Sequence, residues 1–308
     1  MQYDLIIIGG GPAGTASAVY AARKQLKSAM IVEEFGGQSV VSEDIKNWIG
    51  TPSISGADLA KSFKNHVKEY VGEFLDLHEG MRAEKVEKID GGFSVATSKG
   101  EVLTAKAVLV TTGSTRRRLT VPGADKLEHR GLTYCASCDG PLFSGQDVVV
   151  VGGGNAGFES AAQLLAYCKT VTMIHRRDDY RADEITVEKV TSHENFIEMK
   201  STEPVEVIGE KFVSGLKVKN LKTDEEKTLD VTGIFVEIGL IPTTSFVEGL
   251  VDMSPIKQII VDPKTQRTSI EGVWAAGDCT NGLYHQNNIA AGDAVKALED
   301  LYQWIKTR

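Results

Sequence analysis

Apolar and polar positions along the chain fall into three rhythms. The first is a short, solid apolar run closed by glycines, found in "DLIIIGGGPAG" from residue 4 and again in "DVVVVGGGNAG" from residue 147. Such runs predict strands buried on both faces. Each is followed by an alanine-rich stretch of helical character and then a second apolar run, "AMIV" or "VTMI". Written one above the other, residues 4–34 and 147–177 align without a gap. A β–α–β start therefore occurs twice. The second rhythm places Leu59, Phe63, Val67 and Val71 on one face and predicts an amphipathic helix from about Gly56 to Leu77. The third is alternation, in "MRAEKVEKI", "FSVATS" and "EVLTAKAVLV", broken at Gly91-Gly92 and Lys99-Gly100. It predicts antiparallel strands. Further on, "GIFVEIGLIP" predicts a strand, "GVWAAGDC" another, and a last helix runs from about Gln286 to Lys306.

The glycines of the repeat carry the first chemical signal. They are Gly9, Gly11 and Gly14 in one copy and Gly152, Gly154 and Gly157 in the other. In this spacing the first allows a tight turn, the second lets backbone approach a pyrophosphate, and the third lets helix pack on strand. The helix N-terminus then faces the phosphates. Two copies in full strand–turn–helix context point to two dinucleotide sites. The copies differ at the end of the second strand, where Glu33 stands in one and Arg176 in the same register of the other. A carboxylate there suits a ribose diol, and an arginine suits a 2′-phosphate. The first site is thus expected to hold a dinucleotide without that phosphate and the second NADPH, with Arg177 and Arg181 beside Arg176. Near the other end, Gly277 and Asp278 follow an apolar strand. A carboxylate so placed suits polyol hydroxyls such as a ribityl chain.

At 308 residues the chain is long for one core and comfortable for two domains. Its net charge of −8 counts against a nucleic-acid surface. The N-terminus resembles a strand entering a glycine turn, not a signal peptide. No apolar run approaches the ~20 residues that span a bilayer. The expected address is the cytoplasm, away from membranes, where thiols stay reduced.

That expectation sharpens the meaning of "TYCASCDGPLF", which sets Cys135 and Cys138 three apart with Asp139 behind them. Only four cysteines are present, Cys168 and Cys279 stand alone, and the six histidines lack zinc-ligand spacing. No metal site is expected. A C-x-x-C near a β–α–β unit in a reducing compartment suits a redox couple. Cys279 is expected to be a small buried residue.

With these residues in view, the sequence resembles the low-molecular-weight thioredoxin reductases of the FAD- and NADPH-dependent pyridine nucleotide-disulfide oxidoreductase family. The marks are "GGGPAG", "FGGQ", "TTG" at 111–113, "CASCDG", "GGGNAG", "HRRDDYRA", "IGLIP" and "GVWAAGDC". The resemblance covers nearly the whole chain. It implies an α/β protein with two Rossmann-like dinucleotide-binding domains, the NADPH domain (residues 115–244, with the redox dithiol) inserted in the FAD domain (1–114 and 245–308). It implies a homodimer that passes electrons from NADPH through FAD and the dithiol to a thioredoxin-like protein disulfide. In that scheme Cys138 exchanges electrons with the flavin, Cys135 attacks the partner disulfide, and Asp139 moves protons. Gly36, Gly37, Gln38, Asn47, Gly113 and Gln286 would line the flavin, and His175 would accompany the arginines at the NADPH site. His285 stands where the family often has another basic residue. "FGGQ" and "FVEIGLIPTT" also resemble the flavoprotein partner of alkyl hydroperoxide reductases, which carries further N-terminal thioredoxin-like domains. Competing readings are the same scaffold fed by ferredoxin, service to a peroxiredoxin system, a thioredoxin-reductase-like ferredoxin–NADP reductase, and a non-catalytic nucleotide-binding flavoprotein.

Overall fold

The computed structural model describes residues 2–42 and 45–307. In chain order the elements are β1 (Tyr3–Ile8), α1 (Pro12–Arg23), β2 (Ser28–Val32), α2 (Gly56–Lys68), β3 (Leu75–Glu79), β4 (Ala83–Ile89), β5 (Gly92–Thr97), β6 (Val102–Val110) and β7 (Ser114–Arg116). They continue with α3 (Ala124–Leu127), β8 (Leu132–Thr133), α4 (Ala136–Asp139), β9 (Asp147–Val151), α5 (Asn155–Leu164), β10 (Thr170–His175), α6 (Glu184–Thr191) and β11 (Phe196–Lys200). The remainder are β12 (Thr202–Gly209), β13 (Val213–Asn220), β14 (Glu226–Leu229), β15 (Gly233–Val236), β16 (Leu240–Pro242), β17 (Val273–Ala275) and α7 (Asn287–Lys306).

The chain divides into two compact units. One takes the residues up to Thr115 and those from Ile241 onward, and the other is Arg116–Leu240. At the division the two crossings, β7 and β16, pair with each other.

In the first unit a seven-stranded sheet runs β3-β2-β1-β6-β5-β4. β1, β2, β3 and β6 are parallel. Besides β1, the long β6 serves two further partners: Val102–Ala105 pair with the antiparallel β5, and Val108–Val110 pair with the parallel β17, the seventh strand. Leu5 through Ile7 are fully buried, as expected of a strand covered on both faces. One face is covered by α1 and α7, which pack together. Both present small residues there: Ala13, Ala18, Ala21 and Ala22 from α1, and Ala290, Ala294 and Ala297 from α7. Small side chains let two helices approach closely.

In the second unit a parallel sheet runs β11-β10-β9-β15-β8, beside a three-stranded antiparallel sheet β12-β13-β14. In both parallel sheets the strand carrying the glycine turn lies at the centre, where the order of connection reverses. Ligands of open α/β sheets bind outside the carboxyl ends of the strands at that point.

Two expectations need correction. The helix drawn from Gly56 to Leu77 stops at Lys68, Leu75–Glu79 forms strand β3, and Val71 is exposed. Gly72 at φ 153° takes a backbone conformation that side-chain-bearing residues rarely adopt, and β3 then gains a parallel partner in β2. Edge pairing thus outcompetes helical periodicity. The run "GIFVEIGLIP" is also not one strand. β15 ends at Val236 and β16 begins at Leu240, with Gly239 at φ 111° between them.

Candidate active site

The first glycine turn sits at the carboxyl end of β1. Gly9 has φ 124°, and its N–H donates to Ile31 O (2.9 Å). A Cβ on Gly14 would stand 1.9 Å from Gly9 O, so glycine alone lets α1 pack this closely. A Cβ on Gly11 would meet only Gly37 Cα at 4.0 Å, leaving open space on the side where a pyrophosphate would approach. The α1 N-cap, Gly11, makes no side-chain capping bond, so the first-turn N–H groups are left for an anion. Gly36 and Gly37 take φ 97° and 58°, and Gly36 N–H donates to Gly10 O (2.9 Å), closing the loop over the turn.

The other expected residues of this unit fall into small groups. Gln38 donates through Nε2 to the carbonyl and hydroxyl of Ser114. Asn47 Nδ2 donates to Gln286 Oε1 (3.1 Å) and Asn288 Nδ2 to Asn47 O (2.7 Å), tying that loop to the start of α7. Gly113 (φ 62°) accepts from Thr243 N–H (3.0 Å). Gly277 (φ 77°) packs against the Cβ atoms of Ala290 and Ala13, which brings β17 to the starts of both helices. Asp278 Oδ1 lies 3.5 Å from His285 Nδ1. Glu33 follows the last residue of β2, is exposed, and sits 3.6 Å from Arg82. Cys279 is fully buried, as expected.

The second glycine turn repeats the first. Gly152 has φ 126°, Gly157 would place a Cβ 1.9 Å from Gly152 O, and Gly154 faces open space. The "HRRDDYR" segment folds back over this turn. Gly153 N–H donates to His175 Nδ1 (3.2 Å), and His175 Nε2 donates to Asp179 O (3.1 Å). These bonds fix the neutral ring with its proton on Nε2. Burial, with Arg177, Arg176 and Arg181 nearby, lowers the His175 pKa. The Tyr180 ring lies 4.7 Å from Phe158 and 5.4 Å from His175, and Arg181 N–H donates to Gly153 O (3.0 Å). The backbone of Arg181 is therefore pinned to the turn, and Arg176 and Arg177 directly follow the anchored His175. Among the described residues no carboxylate pairs with these three guanidiniums. This leaves them available to an anion.

Cys135 and Cys138 form a disulfide. Both are half-buried. Cys135 caps the short helix α4, and Cys138 N–H points at its Sγ (3.2 Å). A donor there favours the sulfur as thiolate. The hydroxyl of Thr133 donates to Asp139 Oδ2, and Thr133 Oγ1 also accepts from Cys135 N–H (3.4 Å). Thr133 so joins the acid to the cysteine, a role sequence inspection missed. A hydroxyl-bearing residue closing the strand ahead of the dithiol was the available signal. A second missed residue is Glu237, just after β15, whose Oε1 accepts from Ser160 Oγ (2.7 Å). The signal was an ionisable residue inside an apolar run.

This arrangement has two glycine cradles, one per unit, and a disulfide on the unit of the second cradle. The model of the pyridine nucleotide-disulphide oxidoreductase family matches residues 3–294. The chain belongs to that family, whose members are oxidoreductases using a flavin and a nicotinamide nucleotide. Its solved neighbours include a thioredoxin reductase from Streptococcus pyogenes MGAS5005 (34% identity, 99% of each chain, TM-score 0.88). Curated relatives include an NADH dehydrogenase from Bacillus subtilis strain 168 (38% identity over 98% of this chain and 58% of the relative). Another is a subunit of the alkyl hydroperoxide reductase of Escherichia coli K12 (37% identity over 98% of this chain and 58% of the relative). The chain thus spans a little over half the length of these curated relatives. No described helix is long and apolar enough to cross a membrane, and no described group of three or more His, Cys, Asp or Glu could hold a metal ion.

Proposed function

We propose that this chain is an NADPH-dependent disulfide reductase that serves a thioredoxin-like protein. FAD would rest in the cradle of Gly9, Gly11 and Gly14, with Gly36, Gly37, Gln38, Asn47, Gly113, Gly277, Asp278 and Gln286 around it and Glu33 at the adenosine ribose. NADPH would rest in the cradle of Gly152, Gly154 and Gly157, with Arg176, Arg177 and Arg181 at the 2′-phosphate. The observation that carries the proposal is the Cys135–Cys138 disulfide with Asp139 bonded to Thr133, on the unit that bears the second cradle.

A flavin held in the first cradle would supply this disulfide with two electrons originating in the nicotinamide nucleotide. The chain's own residues then manage sulfur and protons. Two-electron opening of the disulfide leaves two thiolates, and two protons in all must be supplied before a partner dithiol is released. Cys138 N–H holds negative charge on Cys135 Sγ, which favours that sulfur as the attacking thiolate. Attack on a partner disulfide forms a mixed disulfide and expels one partner thiolate. Cys138 then attacks Cys135 Sγ and displaces the partner's second sulfur, so the partner leaves as a dithiol and the Cys135–Cys138 bond is restored. Asp139 would deliver and recover the protons these exchanges need, a role its bond to Thr133 beside the dithiol supports.

Anaerobic addition of NADPH to the purified protein should bleach the flavin absorbance. Adding thioredoxin from the same source should return the colour and produce two thiols per NADPH consumed. Bleaching without any thiol yield would refute the disulfide reading. The relatives named as alkyl hydroperoxide reductase subunits favour a second reading, in which the acceptor is a disulfide that feeds a peroxiredoxin. Assaying thioredoxin-like and peroxiredoxin-linked acceptors side by side separates the two.

A further inference from the structure

Glu237 has no part in the steps above, yet its place in the fold is chemically suggestive. It follows β15, the strand beside β9 on the side away from β10. The second cradle opens at the end of β9, and Arg176 marks the adenosine side beyond β10. By the symmetry of a dinucleotide about its pyrophosphate, the nicotinamide half extends the other way, past the end of β15. Glu237 is anchored there by three contacts. Its N–H donates to Val151 O (2.8 Å), its carbonyl lies against the Gly152 turn, and Ser160 Oγ binds one carboxyl oxygen. Ser160 lies on the buried face of α5, so the carboxyl is held beneath the helix that starts the cradle.

The charged groups facing the carboxyl are few. Arg116 approaches from β7, and Glu159 precedes Ser160 on α5. The turn after β9 contributes only glycines to this edge. Surrounding protein, foremost, and the Glu159 charge push the Glu237 pKa up to about 7, against the opposing pull of Arg116 and Ser160. A carboxyl so held changes charge across the working range of pH. An oxidised nicotinamide ring carries a positive charge that the reduced ring lacks. A carboxylate at its end of the cradle therefore binds the two forms unequally.

We propose that Glu237, positioned by Ser160, is a specificity-determining residue that favours the oxidised over the reduced nicotinamide ring by charge. This rests on the reading of the second cradle as the nicotinamide nucleotide site. Its chemical consequence is to ease loss of hydride from the bound ring, most when Glu237 is ionised. A purely structural role, as the acceptor for Ser160, would leave the two ring forms equally affected.

The test uses the oxidised holoenzyme, so that no hydride moves during the measurement. Calorimetric titrations with NADP+ and with its unreactive neutral-ring analogue, 1,4,5,6-tetrahydro-NADP, give a ratio of affinities at pH 6 and pH 8. NAD+ and the matching analogue are run in parallel. In the wild type the preference for the charged ring should rise roughly 3- to 10-fold between the two pH values. Glu237→Gln keeps an acceptor for Ser160 and should lose most of that rise. Ser160→Ala should keep a rise but move its midpoint upward, because a bond favouring the carboxylate is gone. A wild-type ratio that is flat with pH, or a Glu237→Gln ratio that tracks the wild type, overturns the proposal. Failure of the wild type to bind any of the four nucleotides overturns the nucleotide reading itself, and this inference with it.

Discussion

Glu33 and Arg176 occupy the same place in the two halves of the repeat, each the first residue after the second strand of its β–α–β unit. The fold presents an acid at one cradle and a base at the other, in the register where dinucleotide folds of this kind generally meet an adenosine ribose. Hydrogen bonds to charged groups contribute about 1.5–3 kcal/mol each. Removing one should cost roughly 10- to 100-fold in discrimination. An Arg176→Ala, Arg181→Ala double variant should therefore lose most of its preference for NADPH while its NADH-driven flavin reduction is kept. Stopped-flow bleaching with each nucleotide measures this. Equal use of NADH and NADPH by the wild type would defeat the phosphate assignment. The relative named NADH dehydrogenase makes that control worth running first.

The dithiol and the glycine cradles are separate structures, so their functions should separate on mutation. Cys135→Ser and Cys138→Ser lie outside both turns and should leave flavin bleaching by NADPH intact. Neither variant should sustain turnover with a protein disulfide. Asp139→Asn, which keeps an acceptor for Thr133, should slow that turnover by about 10²- to 10⁴-fold, the usual contribution of a general acid–base group. Rapid mixing with NADPH, followed by steady-state thiol release, reads the two stages apart.

The remaining thiols should stay silent. Burial pushes the Cys168 pKa up to about 11 and that of Cys279 to about 12. Since the thiolate is the nucleophile, only about one molecule in a thousand or fewer would be reactive at pH 8. Iodoacetamide should leave the oxidised protein essentially unlabelled at pH 8. Prior reduction should expose two fast sites, Cys135 and Cys138. Peptide mass spectrometry checks the sites, and fast modification of Cys168 or Cys279 in folded protein would contradict their burial.

Much of this architecture was legible because the sequence states it twice. The aligned copies at 4–34 and 147–177 fix strand, turn, helix and strand without propensity arguments, and the alternating segments from Ala83 to Val110 declare their pleat. The α2–β3 region misled because Leu59, Phe63, Val67 and Val71 keep helical spacing past the true end at Lys68. What decides the outcome there is pairing of Leu75–Glu79 with β2, a long-range contact that local periodicity cannot register. The same limit hid Thr133 and Ser160. Each acts through a partner, Asp139 or Glu237, whose proximity exists only in the folded chain.

The two kinds of cradle glycine should respond oppositely to the smallest substitution. Gly14→Ala would drive a Cβ to 1.9 Å from the Gly9 carbonyl, a backbone atom with no room to yield. Overpacking of this kind costs about 1–3 kcal/mol or more, and here it would lever α1 away from β1. Gly11 has φ −78°, an ordinary value for alanine, and its Cβ would meet nothing closer than 4.0 Å. Gly11→Ala should fold with unchanged stability when stripped of flavin. Its defect should appear only in FAD content, because the methyl group fills the space through which backbone meets pyrophosphate. Urea unfolding of the flavin-free proteins, set beside the flavin-to-protein absorbance ratio as purified, distinguishes the cases. Gly14→Ala should fall in both measurements and Gly11→Ala in the second alone. A Gly11→Ala protein that retains full FAD would show that the pyrophosphate does not pass this turn.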